Sequence, residues 1–281
     1  MSESKPVKIQ RWRENTLHPA TTDMVAIEEP LEIRVRGRSI AVTMRTPGQD
    51  EELAAGFLVT ENLIHQQSDV TEIAHCHEGG QAHRGNILNV FLSPSVEVDF
   101  PRFTRHFFTN SSCGLCGKSR IENLHQRFAP IRSEIMVAAQ TLAQLPNKLQ
   151  AVQSTFNQTG GLHGAGIFSP EGSLIISRED IGRHNAVDKV IGRAFLDQVD
   201  LSQNILLVSG RASFEILQKA LSARIPIIAA VSAPSSLAIN FANESGQTLA
   251  GFVRGKTMNL YTGAQRVQQD LTENTPTLRE S

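Results

Sequence analysis

Apolar and polar residues alternate along LEIRVRGRSIAVTMRT, on both sides of Gly37. That period of two predicts a β-hairpin with Leu31, Ile33 and Val35, then Ile40, Val42 and Met44, on its inward face. The rhythm changes in TPGQDEELAAGFLVTENLI, where Leu53, Phe57 and Leu58 share one side of a predicted helix. Asp50, Glu51 and Glu52 stand early in it, where the helix dipole favours acid. NILNVFLSPSVEVDF supplies further strand, and SRIENLHQRF places Ile121, Leu124 and Phe128 on one helical face.

The second half is organised differently. GAGIFSPEGSLIISRE reads as two strands around the turn Ser169-Pro170-Glu171-Gly172, and RHNAVDKVIGRAF as a helix with Val187, Val190, Ile191 and Phe195 on one face. NILLVSG, RASFEILQKALSARI, PIIAAVSAP, SSLAINFANESG and TLAGFVRG then alternate strand with helix. The strands are continuous apolar runs, as expected where helices cover both faces of a sheet. Two βα units in succession predict a parallel α/β core with right-handed crossovers. The chain contains no internal repeat, and the closing QQDLTENTPTLRES reads as unstructured.

The chain has 281 residues, 40% of them hydrophobic, and a net charge of −1. That is ample for one or two globular domains, with no general electrostatic pull toward nucleic acid or an anionic membrane. The polar opening MSESKPVKIQRWREN has no signal-peptide core. The longest apolar run, Ile225 to Val231, is far short of the ~20 residues that span a bilayer. Three cysteines fit a reducing compartment better than a disulfide framework. A soluble, cytoplasmic protein is expected, and only its ends read as disordered.

Open α/β sheets bind ligands beyond the carboxyl ends of their strands. Here those ends are Ser209-Gly210-Arg211 and Ser232-Ala233-Pro234-Ser235-Ser236, each opening a helix, and Arg254-Gly255-Lys256-Thr257. Unpaired N–H groups at helix starts, with Arg211, Arg254 and Lys256 around the rim, suit a phosphate-bearing ligand. Ordinary serine capping explains either helix start alone. No GxGxxG or Walker A stretch is present, so neither a dinucleotide dehydrogenase nor a P-loop enzyme is predicted. REDIGRHNAVDK gathers Glu179, Asp180, Arg183 and His184 at another helix start. They face a cofactor, or else the stretch is a well-capped helix end, with Asp180 as cap and Asp188-Lys189 as a solvated pair.

Cys113 and Cys116 lie in TNSSCGLCGKSRIEN, among small and polar residues. The glycines around them predict an exposed, movable loop, and the helix start near Lys118, with Lys118 and Arg120, would lower a thiol pKa. Three chemistries fit such a pair: half of a zinc site, a redox dithiol, or a carrier that holds sulfur covalently. Two loop residues of no chemical consequence are the bland alternative. Zinc would draw its further ligands from AHCHE, which holds Cys76 between His75 and His77. Yet Ser112 stands where zinc deaminases have proline, and Glu78 directly follows His77, the wrong spacing for their proton shuttle. His75 and His77 otherwise read as surface residues. A thioredoxin-like pair would follow a strand at the start of a βαβ unit, and Cys113 lies upstream of the α/β region.

SSCGLCG, GAGIFSPEGSLIISREDIGRHNAVDKVIGRAF, LLVSGRASFEILQKALSARIPIIAAVSAPSSLAI and EEPLEIRVRG together resemble the FdhD family, over residues from about Glu28 to Gln265. These are sulfurtransferases, or sulfur carriers, required for formate dehydrogenase activity. The resemblance implies a cytoplasmic homodimer with a small N-terminal α/β domain and a larger C-terminal α/β/α domain of cytidine-deaminase-like fold, without the deaminase zinc. The chain then divides into an extension (1–27), the small domain (28–110), the CxxC loop with its helix (111–130), the larger domain (131–265) and a tail (266–281). The implied task is to accept sulfur from a cysteine desulfurase and pass it to the bis-molybdopterin guanine dinucleotide form of the molybdenum cofactor. That substrate is then inserted into formate dehydrogenase. By the same resemblance Cys113 carries the persulfide and Cys116 assists. The guanine nucleotide, for which guanosine diphosphate is an analogue, lies against Phe252, Val253, Arg254, Gly255, Lys256 and Thr257, a stretch that departs from the family's Pro-Gly form. No structural metal is expected. A zinc-binding module, or a nucleotide-binding chaperone without sulfur transfer, is the alternative.

Overall fold

The computed structural model describes residues 2–76, 85–101 and 129–269. Strands β1 (Ser4–Ile9), β2 (Trp12–Arg13), β3 (Thr16–Leu17) and β4 (Thr21–Ala26) form an antiparallel ribbon, β1 on β4 and β2 on β3. The opening stretch, expected to be disordered, is therefore ordered by main-chain pairing.

Next come β5 (Glu29–Val35), β6 (Arg38–Arg45), α1 (Asp50–Thr60), β7 (Val70–His75) and β8 (Ile87–Leu92), with a four-stranded sheet in the order β6-β5-β8-β7. Leu31, Ile33, Val35, Leu88 and Val90 bury one face of it against Leu53 and Leu58 of α1. The predicted hairpin is present, but half of its second strand is inverted. A bulge between Ile33 and Arg34 inserts one residue into the register, so Ala41 faces Ile33 and Thr43 faces Leu31. One extra residue moves every later side chain to the other face. Ile40 stays buried, while Val42 and Met44 are 53% and 48% exposed.

The remaining elements are β9 (Val137–Ala138), α2 (Ala139–Val152), α3 (Ser154–Thr159), β10 (His163–Phe168), β11 (Leu174–Asp180), α4 (Arg183–Leu196) and β12 (Ile205–Val208). After them come α5 (Phe214–Ser222), β13 (Ile227–Ala230), α6 (Ser236–Glu244), β14 (Thr248–Arg254), β15 (Thr257–Thr262) and β16 (Val267–Gln268). They build a six-stranded sheet in the order β11-β10-β12-β13-β14-β15. β12, β13 and β14 are mutually parallel, and β10 and β15 run against them. Leu206, Val208, Ile228 and Leu249 pack under α4, α5 and α6, whereas Ile205, Leu207, Ile227 and Ala250 pack under α2. The continuous apolar runs are thus strands covered on both faces. β16 overlaps the stretch expected to be unstructured only at that stretch's first residue, Gln268, and pairs in parallel with β9. The helix expected over SRIENLHQRF lies outside the described residues.

Helix α1 crosses α4 at very close range. A Cβ on Gly56 would lie 1.8 Å from the Asp188 carbonyl oxygen, and one on Gly192 would lie 1.8 Å from that of Glu52. Glycine at both positions lets the two backbones touch, which joins the smaller sheet to the larger. Around the crossing, polar groups bond across the junction. Asp188 accepts from Lys219 Nζ at 2.8 Å and from Thr60 Oγ1 at 3.0 Å, and Glu52 accepts from Arg178 Nη2 at 2.7 Å. Lys189 Nζ meets Asp180 Oδ2 at 2.8 Å and donates to the Thr46 carbonyl at 3.0 Å. The expectation of a solvated Asp188-Lys189 pair is corrected: both are buried, and each is paired with a different partner.

Candidate functional site on the carboxyl edge of the larger sheet

The three parallel strands end side by side. Their following loops are stitched together by main-chain bonds: Val231 N donates to Val208 O, Ser235 N to Ala212 O, and Phe252 N to Ser232 O, all at 3.0–3.1 Å. A parallel bridge pairs Ala212 with Pro234. The three predicted strand ends therefore form one continuous edge, as right-handed βα units require.

The two helix starts differ from one another. Ser235 caps α6, its Oγ accepting from Ala238 N at 3.2 Å, which is the ordinary structural role. Helix α5 begins at Phe214 rather than beside Arg211, and its cap residue Ser213 makes no side-chain capping bond. The Ser213 hydroxyl lies instead 3.3 Å from His184 Nε2. Glu215, in the first turn of α5, has its carboxyl held below the usual range against the opposing effect of burial, by its own main-chain N–H, Ser213 and the nearby His184.

The segment from Phe252 to Thr257 is more regular than a loop. Phe252, Val253 and Arg254 close β14, Thr257 opens β15, and Gly255-Lys256 makes the turn between the paired Arg254 and Thr257. Phe252 adopts φ 52° at a register shift between Gly251 and Arg254, and is 40% exposed. A bulky residue in the left-handed region is strained and marks positions held for a purpose. Val253 is fully buried and packs into the core under α2 rather than facing the edge. Arg254 Nε donates to the Val231 carbonyl at 3.2 Å, tying the turn to the β13 loop.

The group at the start of α4 divides. Asp180 is buried and takes four donors: Thr46 N, Gly182 N, Asn185 Nδ2 and Lys189 Nζ. Glu179 accepts from Thr155 N and Phe156 N at the start of α3, and burial raises its carboxyl above the usual range. Both are structural. Arg183 and His184 face the edge, joined by His163, which the sequence reading missed. His163 begins β10, and because β10 runs antiparallel to β12 its first residue lies beside the end of β12. Nothing local in the sequence marks it; only strand order does.

His163 has its pKa lowered by burial and then by Arg183. His184 is lowered to about 4 by burial, with Arg183 and Lys219 adding to it. Both rings are therefore neutral near neutral pH. Arg183 Nε is buried and, among the described residues, has no hydrogen-bond partner.

Cys113 and Cys116 lie outside the described residues, as does His77. His75 is corrected from a surface residue: its side chain is 24% exposed, with Nε2 3.6 Å from Asp50 Oδ2, beside the buried Arg45–Asp50 pair. Cys76 follows it and is partly buried. Among the described residues no group of three His, Cys, Asp or Glu side chains is arranged around a metal position, and no helix is long and apolar enough to cross a membrane.

Comparison with known proteins places this architecture. The sequence model of the FdhD/NarQ family matches residues 26–268. The chain is 51% identical over 253 residues to the sulfur carrier protein FdhD of Mycobacterium tuberculosis, covering 87% of this chain and 92% of that one. It is 47% identical over 268 residues to the protein of the same name from Streptomyces coelicolor, covering 92% and 94%. A crystal structure from Desulfotalea psychrophila, assigned there as a formate dehydrogenase accessory protein, superposes with a TM-score of 0.77 at 26% identity, over 95% of this chain and all of that one. By sequence over nearly its whole length, and by fold, the chain belongs to the FdhD/NarQ family.

Proposed function

We propose that this protein is a sulfur carrier in formate dehydrogenase maturation, the roles that the names of its relatives give to those proteins. The Cys113 thiolate attacks the outer sulfur of a cysteine desulfurase persulfide, the donor's inner sulfur leaves as a thiolate, and Cys113 holds the new persulfide. Cys116, three residues on, is spaced to assist it. The acceptor is bis-molybdopterin guanine dinucleotide, a substrate here rather than a resident cofactor, on its way into formate dehydrogenase. The enzyme acts as a homodimer in the cytoplasm. The order of the six-stranded sheet, an antiparallel hairpin beside three parallel strands, supports a cytidine-deaminase-like reading of its larger part.

One observation carries the cofactor half of this reading. Three parallel strand ends converge on a strained turn with exposed Arg254 and Lys256, where a nucleotide diphosphate meets both main-chain donors and cations. Guanosine diphosphate is expected to bind there.

The sulfur half is tested by mass spectrometry after incubation with a cysteine desulfurase and cysteine. Wild type gains ~32 Da units at Cys113, and Cys113→Ala loses formate dehydrogenase maturation, as thiolate chemistry requires. Full maturation by Cys113→Ala, or a persulfide confined to Cys76, would sink the mechanism.

A further inference from the structure

The ribbon of β1 to β4 is an arm with a fixed root and an exposed tip. At the root, Ile27 N donates to the Glu3 carbonyl at 2.9 Å, and the Glu3 carboxylate accepts from Thr155 Oγ1 at the start of α3. At the tip, Glu14 and Asn15 both adopt positive φ and make the two-residue turn whose twist suits paired strands. That turn sets Trp12 directly opposite Leu17, and the two are 64% and 56% exposed. Lys8 and Arg13 stand exposed beside them. Trp12 is the only tryptophan in the chain. Tryptophan and arginine are the residues that interfaces use as anchors, and an ordered hairpin presents them at little entropic cost. The family's sequence model begins at residue 26, so the arm lies outside the span that defines the family.

A matching surface lies at the root. The bulge in the smaller sheet turns Val42 and Met44 outward on β6, and Pro30, exposed, is paired with Met44. Glu28, Glu29 and Glu32 border this apolar patch, Glu28 exposed, Glu29 meeting the buried Arg45 and Glu32 meeting Arg34. A basic tip therefore has an acidic-bordered patch to complement it. Within one chain the paired ribbon holds the two apart, by up to about 30 Å of strand between Leu17 and Ala26. Two copies related by a two-fold axis through the middle of their arms bring each tip onto the root of the other, which is the reciprocal contact of a symmetric dimer. Covering Trp12, Leu17, Pro30, Val42 and Met44 at both contacts removes on the order of 1,000 Å² from water, the least that a stable interface needs.

We propose that the arm is a dimer clasp. Trp12 and Leu17 of each copy dock on Pro30, Val42 and Met44 of the other, with Lys8 and Arg13 against the acidic border. This rests on the proposed function only for the presence of a second copy; the contact uses neither the thiols nor the ligand edge.

Sedimentation equilibrium and Trp12 fluorescence of the full chain test it, since a single tryptophan makes the emission a report on the tip alone. Emission should move to shorter wavelength as wild type associates. Trp12→Ala and, on the opposing surface, Met44→Lys should each weaken the dimer by about thirtyfold per contact, so about a thousandfold over two, as loss of an aromatic anchor does. Both side chains are exposed, so neither change should unfold the chain. Mixing the variants restores one intact contact, the Trp12 arm of the Met44→Lys copy on the Met44 patch of the Trp12→Ala copy. The mixture should associate about thirtyfold more tightly than either variant alone, with the emission shift regained. A wild type that stays monomeric overturns both the clasp and the homodimer. A dimer whose Trp12 emission stays that of a solvated indole, or that ignores both variants, overturns the clasp and leaves the homodimer to another face. Variants that weaken the dimer without complementing each other overturn the arm-on-patch contact. An emission shift seen only on adding a cysteine desulfurase overturns the second copy as occupant and gives the arm to that partner.

Discussion

Where α1 crosses α4, buried charges are matched: Asp180 with Lys189, Asp188 with Lys219, Glu52 with Arg178. Along the carboxyl edge of the larger sheet, Arg183 Nε has no hydrogen-bond partner among the described residues, Arg254 and Lys256 stand exposed, and two histidines are held neutral. The junction satisfies its polar groups internally, so it fixes geometry and offers nothing to a ligand. The edge leaves donors, charges and a strained Phe252 unsatisfied, a pattern expected where binding supplies the missing partners. Asp180 and Arg183 show the boundary well. Three residues apart, one is spent on the junction and the other faces the edge.

The sharpest way to break this contrast is to unpair the junction. Lys189→Met leaves the Asp180 carboxylate buried without its cation, and removing one partner of a buried pair costs about 3–5 kcal/mol. Urea unfolding measures it. Guanosine diphosphate affinity of the folded variant should match wild type. A loss below about 1 kcal/mol, the range of an exposed pair, would mean that the junction is no tighter than the surface.

The edge should respond in the opposite sense. Arg254→Glu with Lys256→Glu should weaken guanosine diphosphate by about 2–4 kcal/mol, because charge-assisted bonds are replaced by repulsion. Unfolding free energy should barely move, since both side chains are exposed. The variant should still gain persulfide at Cys113. Calorimetric titration showing unchanged affinity would put the nucleotide on another edge.

How legible each region was in the sequence follows from the same difference. The βα alternation was readable because fully covered strands are continuous apolar runs, and the edge followed from their order. The strand end at Phe252–Thr257 was readable as such, though it proved to be strand and turn rather than loop. Helix α2 escaped because Pro146 sits in its middle, where proline normally argues against a helix. The bulge at Ile33 escaped because alternation looks the same in either register. Asp188 and Lys189 were misread because charged neighbours on a helix usually face water, and their partners, Lys219 and Asp180, come from other elements. His163 and Ser213 were missed for a related reason: strand order brings them to His184, and no local spacing records it.

The smallest expected effect concerns His184 and pH. Its ordinary value is 6.5, and burial, with Arg183 and Lys219 facing it, lowers this to about 4 in the folded protein; only Glu215 pulls the other way. Between those values the unfolded chain binds a proton that the folded protein does not. Stability contributed by this group is therefore constant above 6.5 and falls as pH drops toward about 4. His163, lowered by burial and then by Arg183 against the opposing pull of Asp180, adds a slope of the same sign. His184→Gln removes one of the two, so the variant should gain stability relative to wild type as the solution is acidified through that window. Asp188, whose carboxyl is raised by burial, contributes equally to both proteins and cancels in the difference. Urea unfolding of the pair across the window reads the result. If the two stabilities run parallel, His184 is solvated enough to titrate normally, and the neutral-imidazole basis of the edge is lost.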